Sequence, residues 1–315
     1  MREHDTTNGG KPLARCDPNA RDDKLCLLEG RACKFNSMEH TEADGVQLHS
    51  GPERHGCGAL EDQIEMKRIG IVGGVGWQST MEYYSELCRR SEQWHLVRNP
   101  RDVPRMPEIS IESLNLAKAI SYLGSDDDEQ SWSQFDDYHR RALKRLETNE
   151  ADFALMASNT PHHRFEAIVR SIRIPVISIL DEMAKESARI GAQQVLLLGT
   201  ALTMRSPKFR ETFAKYGIDA SGPRDESLRA MTAELITDLQ LGKLERAAQR
   251  LAAVARLSLD ENQFGDQPAV CLACTELPLA FAGMKQLPTF EYDGILFINT
   301  TAVHISAAFN FAVNP

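Results

Sequence analysis

The chain has 315 residues, of which 42% are hydrophobic and 7% aromatic, enough to bury a sizeable core as one large domain or two of ordinary size. Its formal charge of -9 is uneven: residues 1–65 hold 8 Lys and Arg against 13 Asp and Glu, and the remainder 28 against 32. That balance excludes a basic face for nucleic acid and a polybasic patch for anionic lipid. No apolar run reaches the roughly 20 residues that span a bilayer, and the N-terminus lacks the apolar core of a secretory signal, so a soluble, cytoplasmic protein is expected.

Residues 1–65 are rich in Gly, Asp, Glu, Asn and His without helical or strand periodicity, and are expected to be a disordered extension. Cys16, Cys26, Cys33 and Cys57 fall here, leaving Cys88, Cys271 and Cys274 for the rest. An odd count argues against a disulfide framework, and the spacings match no zinc pattern. At Met66 the text changes to "MKRIGIVGGVGW", which reads as the start of a complete globular protein and suggests that translation begins there.

From Met66 onward, apolar strands alternate with amphipathic helices. The strands are expected at Arg68–Val72, Glu108–Glu112, Phe153–Ala157, Val176–Ile179, Val195–Leu198, Ala269–Ala273 and Leu296–Ile298. The helices fall at Met81–Ser91, Ser133–Glu147, Arg164–Ser171, Leu180–Ile190, Pro207–Tyr216, Ser227–Leu241 and Leu244–Leu257. Such alternation predicts an α/β protein with mostly parallel sheets flanked by helices. A break near Ile174–Pro175 divides it into two pseudo-symmetric halves. Gly124–Trp132 and Asp260–Pro268 read as exposed loops.

After the first strand, "GIVGGVGWQST" (Gly70–Thr80) fits a dinucleotide fingerprint poorly, because Ser79 stands where the third glycine belongs and no acidic residue closes a second strand about 20 residues on. It reads instead as a tight turn. Its backbone N–H groups around Gly74, with the Ser79 and Thr80 hydroxyls, form a candidate cradle for a carboxylate.

One phrase occurs twice. "LMASNTPHH" (Leu155–His163) and "CLACTELP" (Cys271–Pro278) each end an apolar strand at Ala, place Ser158 or Cys274 next, and reach a proline within four positions. Thr160 suits an N-cap and Pro161 the first helical position. Ligands of parallel sheets bind beyond the carboxyl ends of strands, so two such ends facing each other form one pocket. A thiol at a helix N-terminus is favoured to ionise, which makes Cys274 a candidate base or nucleophile and leaves Cys271 as a core residue.

"GGVGWQST" (Gly73–Thr80), "SNTPH" (Ser158–His162), "LLLGTALTM" (Leu196–Met204), "ACTELPL" (Ala273–Leu279) and "INTTAVH" (Ile298–His304) together resemble the cofactor-independent aspartate/glutamate racemases, a branch of the aspartate/glutamate/hydantoin racemase group. The resemblance covers residues 66–315. It implies a first domain of 66–175 plus 300–315, a second of 176–299, and an active site in the cleft between them. It further implies a homodimer, a small amino-acid or dicarboxylate substrate, and no cofactor or metal. One cysteine from each domain would flank the substrate Cα, since inversion needs an acid and a base on opposite faces of one carbon. By position, Cys274 is the second-domain cysteine with Thr275 beside it. Asn159 and Thr160 would hold the substrate carboxylate, Thr200 and Thr203 would contact the ligand from the second domain, and His304 would close the site.

The pattern departs in three places. Ser158 stands for the first cysteine, which predicts weak proton relay on that face and a bias toward one enantiomer. Asn299 replaces a common Asp in the closing motif, removing a charge that would orient His304 or the turn. The strand Pro107–Leu116 lacks the Pro-Asp-Arg segment that grips a side-chain carboxylate, with Arg205 and Arg229 the remaining candidate counter-charges. The expected activity is racemisation of aspartate, glutamate or a close relative. The alternatives are a single-cysteine decarboxylase or cis-trans isomerase of the same group, or a catalytically silent binder.

Overall fold

Strand β1 (Ile69–Gly73) is buried at every position, as expected of a strand covered on both faces. In the computed structural model, which describes residues 66–314 except 263, 266 and 267, β1 pairs in parallel with β2 (Ile109–Ser113) and β3 (Phe153–Met156). β4 (Val176–Ile177) adds to β3 in parallel, giving the order β2-β1-β3-β4. The expected extension at residues 1–65, with its cysteines, lies outside the described residues.

The period-2 alternation of strand side chains sorts the core into two faces. Ile69, Ile71, Phe153 and Leu155 point to one side, where Tyr83 and Leu87 of α1 (Trp77–Arg98) meet Ile305, Ala308 and Phe309 of α10 (Thr300–Val313). Val72, Ala154 and Met156 point to the other, against Phe135, Leu143 and Leu146 of α3 (Ser133–Thr148). Two short helices, α2 (Leu116–Ser121) and α4 (Phe165–Val169), follow β2 and the turn after β3.

The second sheet repeats the plan. Parallel strands β5 (Gln194–Gly199), β6 (Asp219–Ser221), β7 (Ala269–Ala273) and β9 (Ile295–Asn299) are joined by antiparallel β8 (Thr289–Tyr292), in the order β6-β5-β7-β9-β8. Val195, Leu197 and Cys271 pack on α5 (Ile179–Arg189) and α7 (Pro207–Ala214). Leu196, Leu198, Val270 and Leu272 pack on α8 (Glu226–Gln240) and α9 (Ala247–Asn262). After β5 comes the one-turn helix α6 (Ala201–Arg205). No helix among the described residues is long and apolar enough to cross a membrane.

Several boundaries differ from the sequence expectation. Val176–Ile177 pairs with β3, so it completes the first sheet instead of opening the second half. β8 turns into β9 through Asp293 and Gly294, both at positive φ (53° and 72°), the backbone that a two-residue Asp-Gly hairpin requires. The supposed loop Gly124–Trp132 ends in a 3₁₀ turn that buries Trp132, whose Nε1 donates to the Ser125 carbonyl at 2.9 Å. α9 runs on into the second supposed loop, to Asn262.

Helix α10 carries the chain back to the first half. Ile305, Ala308, Phe309 and Ala312 belong to the first core, whereas Val303 belongs to the second. Truncating Ile305 to Ala is expected to cost about 2–5 kcal/mol, read as a lowered urea midpoint with an unchanged slope.

Candidate active site

β3 and β7 end the same way. Each runs into a turn and then a 3₁₀ helix with proline in second place, Thr160–Arg164 with Pro161 and Leu277–Ala280 with Pro278. Ser158 and Cys274, the first polar residues beyond the strands, line one cavity of about 280 Å³. Asn159, Thr160, Thr200 and Thr275 line it as well. Thr160 and Thr200 approach across the two halves, hydroxyl to hydroxyl, at 3.4 Å. Ser158 is half-buried, while Cys274 is 5% exposed.

Cys274 differs electrostatically from the sequence expectation. Its Sγ donates to Glu276 Oε2 at 2.9 Å, and Glu276 is itself buried. Burial, and then the Glu276 carboxylate beside it, push the thiol well above its ordinary value. The backbone N–H groups of Glu276 and Leu277 pull the other way and are outweighed. The helix beyond Cys274 is a single 3₁₀ turn, too short to develop the macrodipole that the ionised reading relied on. The resting sulfur is therefore a thiol hydrogen-bonded to a carboxylate. Glu276 lines the cavity and went unremarked in the sequence, although a carboxylate two positions from a candidate thiol is a local signal.

The glycine turn does not present a free anion cradle. The Gly74 N–H donates to Thr80 Oγ1 at 2.9 Å, and Thr80 Oγ1 donates to the Gly76 carbonyl at 3.2 Å. Neither Gly74 nor Thr80 lines the cavity. Gly74 is required for another reason: its φ is +84°, and a Cβ there would lie 2.3 Å from the Leu114 carbonyl oxygen. Ser79 lies behind the cavity wall, donating to Thr275 Oγ1 at 2.7 Å, with Glu276 Oε1 at 3.4 Å. Gly76 makes room for this group, because a Cβ would meet Glu276 Oε1 at 2.0 Å.

His304 and Thr203 are also withdrawn from the cavity. His304 is fully buried; its Nε2 donates to the Ile177 carbonyl at 3.0 Å and its Nδ1 accepts the Tyr83 hydroxyl at 2.8 Å. With both ring nitrogens occupied, burial holds its pKa down at about 4, so it is a neutral structural link. Asn299 does not contact it: its Oδ1 caps α10 at the Ala302 N–H (3.2 Å), and its Nδ2 donates to the Lys285 carbonyl at 2.7 Å, which Asp could not do. Thr203 is fully buried beneath Thr200, whose Oγ1 it approaches at 3.1 Å and whose capping oxygen accepts the Thr203 N–H at 3.3 Å.

Two histidines border the first wall. His162 Nδ1 donates to the Ser158 carbonyl at 2.9 Å while its Nε2 accepts the Ile179 N–H at 3.2 Å. Burial holds it neutral, with a pKa of about 3; it thereby fixes the backbone that carries Ser158. His139 lines the cavity, donates through Nδ1 to the Phe135 carbonyl at 2.9 Å, and leaves a buried Nε2 without a partner. Burial lowers its pKa to about 4. Asn159 Oδ1 is likewise unpartnered. Its Nδ2 lies 3.4 Å from Thr300 Oγ1, whose own proton goes to the Leu272 carbonyl at 2.8 Å, and this fixes the amide orientation.

The family model described as Asp/Glu/Hydantoin racemase matches residues 72–308. The broad-specificity amino-acid racemase RacX of Bacillus subtilis (strain 168) is 26% identical over 149 residues, a match spanning 47% of this chain and 61% of that protein. The solved structure of an aspartate racemase homologue from Pyrococcus horikoshii OT3 superposes with a TM-score of 0.60 at 27% identity, covering 79% of this chain and all of that one. The aspartate racemase of Picrophilus torridus shares the fold, with a TM-score of 0.57 at 20% identity over 78% of this chain and 94% of its own. The chain belongs to the Asp/Glu/hydantoin racemase family.

Proposed function

We propose that the cavity between the two strand ends inverts an amino acid at Cα by proton transfer between Cys274 and the Ser158 side, using only the chain's own groups. One observation carries this reading: Ser158 and Cys274, at matching ends of the two sheets, line the same cavity. The unpartnered Asn159 Oδ1 and the Glu276 carboxylate are acceptors suited to the substrate ammonium group. The Thr160 and Thr200 hydroxyls supply neutral donors for its carboxylate.

Glu276 is assigned as the acceptor of the Cys274 proton. Transfer along the existing hydrogen bond converts thiol plus carboxylate into thiolate plus carboxylic acid, with charge conserved. The thiolate then takes the Cα proton, and the Ser158 hydroxyl donates one to the opposite face. The half-buried serine recovers its proton from water, and the carboxylic acid of Glu276 gives its own to the hydroxide left behind, which restores the resting thiol and carboxylate. Each positioned acid or base is worth about 10²–10⁴ in rate.

Incubation of single amino-acid enantiomers, acidic and neutral, in D₂O with ¹H NMR detection tests the assignment. Cys274→Ala is expected to slow Cα exchange by at least about 100-fold, and Ser158→Cys to raise inversion above wild type. Exchange by Cys274→Ala at the wild-type rate would sink the assignment.

The thiol chemistry has its own check, read by mass spectrometry on the Cys274 peptide after iodoacetamide. Because the folded protein raises the thiol pKa and the thiolate is the reacting form, alkylation should be slow at neutral pH and quicken as pH rises. Glu276→Gln removes the like charge, so it should alkylate faster than wild type at equal pH while inverting substrate more slowly. Slower alkylation in Glu276→Gln would show that the carboxylate activates the resting sulfur instead of holding it protonated.

A further inference from the structure

We infer that this cavity takes an amino acid with an uncharged, aliphatic side chain of the leucine or methionine class, and rejects aspartate and glutamate. The inference rests on the racemase reading and adds the substrate class to it. Glu276 is the one acidic side chain among the lining residues; none of them is Lys or Arg. His139, the one lining residue that could become a cation, has its pKa lowered to about 4 and is neutral at physiological pH.

Three cations on the surrounding elements are engaged elsewhere. Arg205 of α6 donates to both Glu226 carboxylate oxygens at 2.7 Å. Arg229 of α8 donates to Glu226 at 3.1 Å and to the Arg224 carbonyl at 2.8 Å. Lys118 of α2 lies over the Tyr122 and Tyr138 rings, 5.9 and 5.3 Å from their centroids. An acidic substrate would add a side-chain carboxylate to the α-carboxylate that every amino acid brings, with no Lys or Arg in the lining to pair it, and an unpaired carboxylate out of water is strongly disfavoured.

Most of the remaining wall is apolar, with Val75, Leu116, Ile120, Leu123, Phe135 and Leu202, and Gln240 adds one neutral amide. Leu116, Ile120 and Leu123, on and just after α2, are 36%, 57% and 42% exposed. Large apolar side chains left open at a cavity are surface that an apolar ligand removes from water. The unpartnered acceptors at Asn159 Oδ1 and His139 Nε2 repel a carboxylate and accept only donors.

The test compares both hands of leucine, methionine, aspartate and glutamate as substrates of the wild-type protein, by Cα deuterium exchange. Protection of Cys274 from iodoacetamide by each amino acid provides a measure of binding independent of turnover. The expected result is a kcat/KM for leucine or methionine at least about 100-fold above that for either acidic amino acid, about 2.7 kcal/mol. Faster exchange of aspartate or glutamate overturns the inference and leaves the racemase reading intact. If no amino acid exchanges, the racemase reading fails and protection decides. Selective protection by the neutral pair upholds the side-chain class; protection by the acidic pair, or by none, overturns it.

Discussion

A single buried hydroxyl ties the two walls of the cavity together. Thr300, fully buried at the start of α10, donates to the carbonyl of Leu272 in β7 and accepts from the amide of Asn159 in the turn after β3. A hydroxyl has one proton to give, so the direction of both bonds is determined. The strand that ends at Cys274 and the turn that carries Ser158 are therefore referenced to the same atom. Helix α10 holds that atom in place because its later residues are locked into the first core. Catalytic geometry tolerates little looseness, and a shared anchor is a direct way for two separate sheets to supply it.

The electrostatic character of the site comes from burial. Of the polar groups around the cavity, the histidines stay neutral because desolvation outweighs the bonds that favour their protonation. Glu276 is the one acidic group in the lining, accepting from Cys274 Sγ and Thr275 Oγ1 with Ser79 Oγ nearby. A carboxylate solvated by neutral donors attracts an ammonium group and repels a second carboxylate. On the proposed mechanism one group serves three purposes: it keeps the sulfur protonated at rest, offers a destination for that proton, and selects against an acidic side chain.

The architecture was largely legible because fully buried parallel strands write themselves as continuous apolar runs: "IGIVG", "FALM", "QVLLLG" and "AVCLA" are all β-strands. The edge strands of the second sheet were not. Asp219–Ser221 buries only Ala220, and Thr289–Tyr292 alternates around one buried Phe290, so neither has a run to read. The doubled phrase was legible as local grammar, and that grammar brings Ser158 and Cys274 to one cavity. The glycine turn misled for a physical reason: a hydroxyl six residues on satisfies the Gly74 N–H, a competition that composition cannot show. His139 sits on the buried face of α3 with Phe135, Ala142 and Leu143, where periodicity marks it as core. That the end of this face borders a cavity is a tertiary fact with no local signature.

The two walls are chemically unequal, and thermodynamics limits what that inequality can do. Enantiomers have equal free energy in solution, so kcat/KM for inversion must be the same from either hand. A weak acid at Ser158 therefore cannot make a one-way racemase; it slows both directions together. The asymmetry has to appear earlier, in the fate of the carbanion. On the hand whose Cα proton faces Cys274, the thiol–carboxylate pair can remove a proton and return one many times before Ser158 delivers across the other face. That hand would exchange its Cα hydrogen with solvent faster than it inverts. The opposite hand, facing an alcohol in place of a thiol–carboxylate pair, would exchange only about as fast as it inverts. Chiral bias in such a site is thus a property of exchange with retention, produced by the serine-for-cysteine difference together with Glu276, which has no counterpart in the turn that carries Ser158.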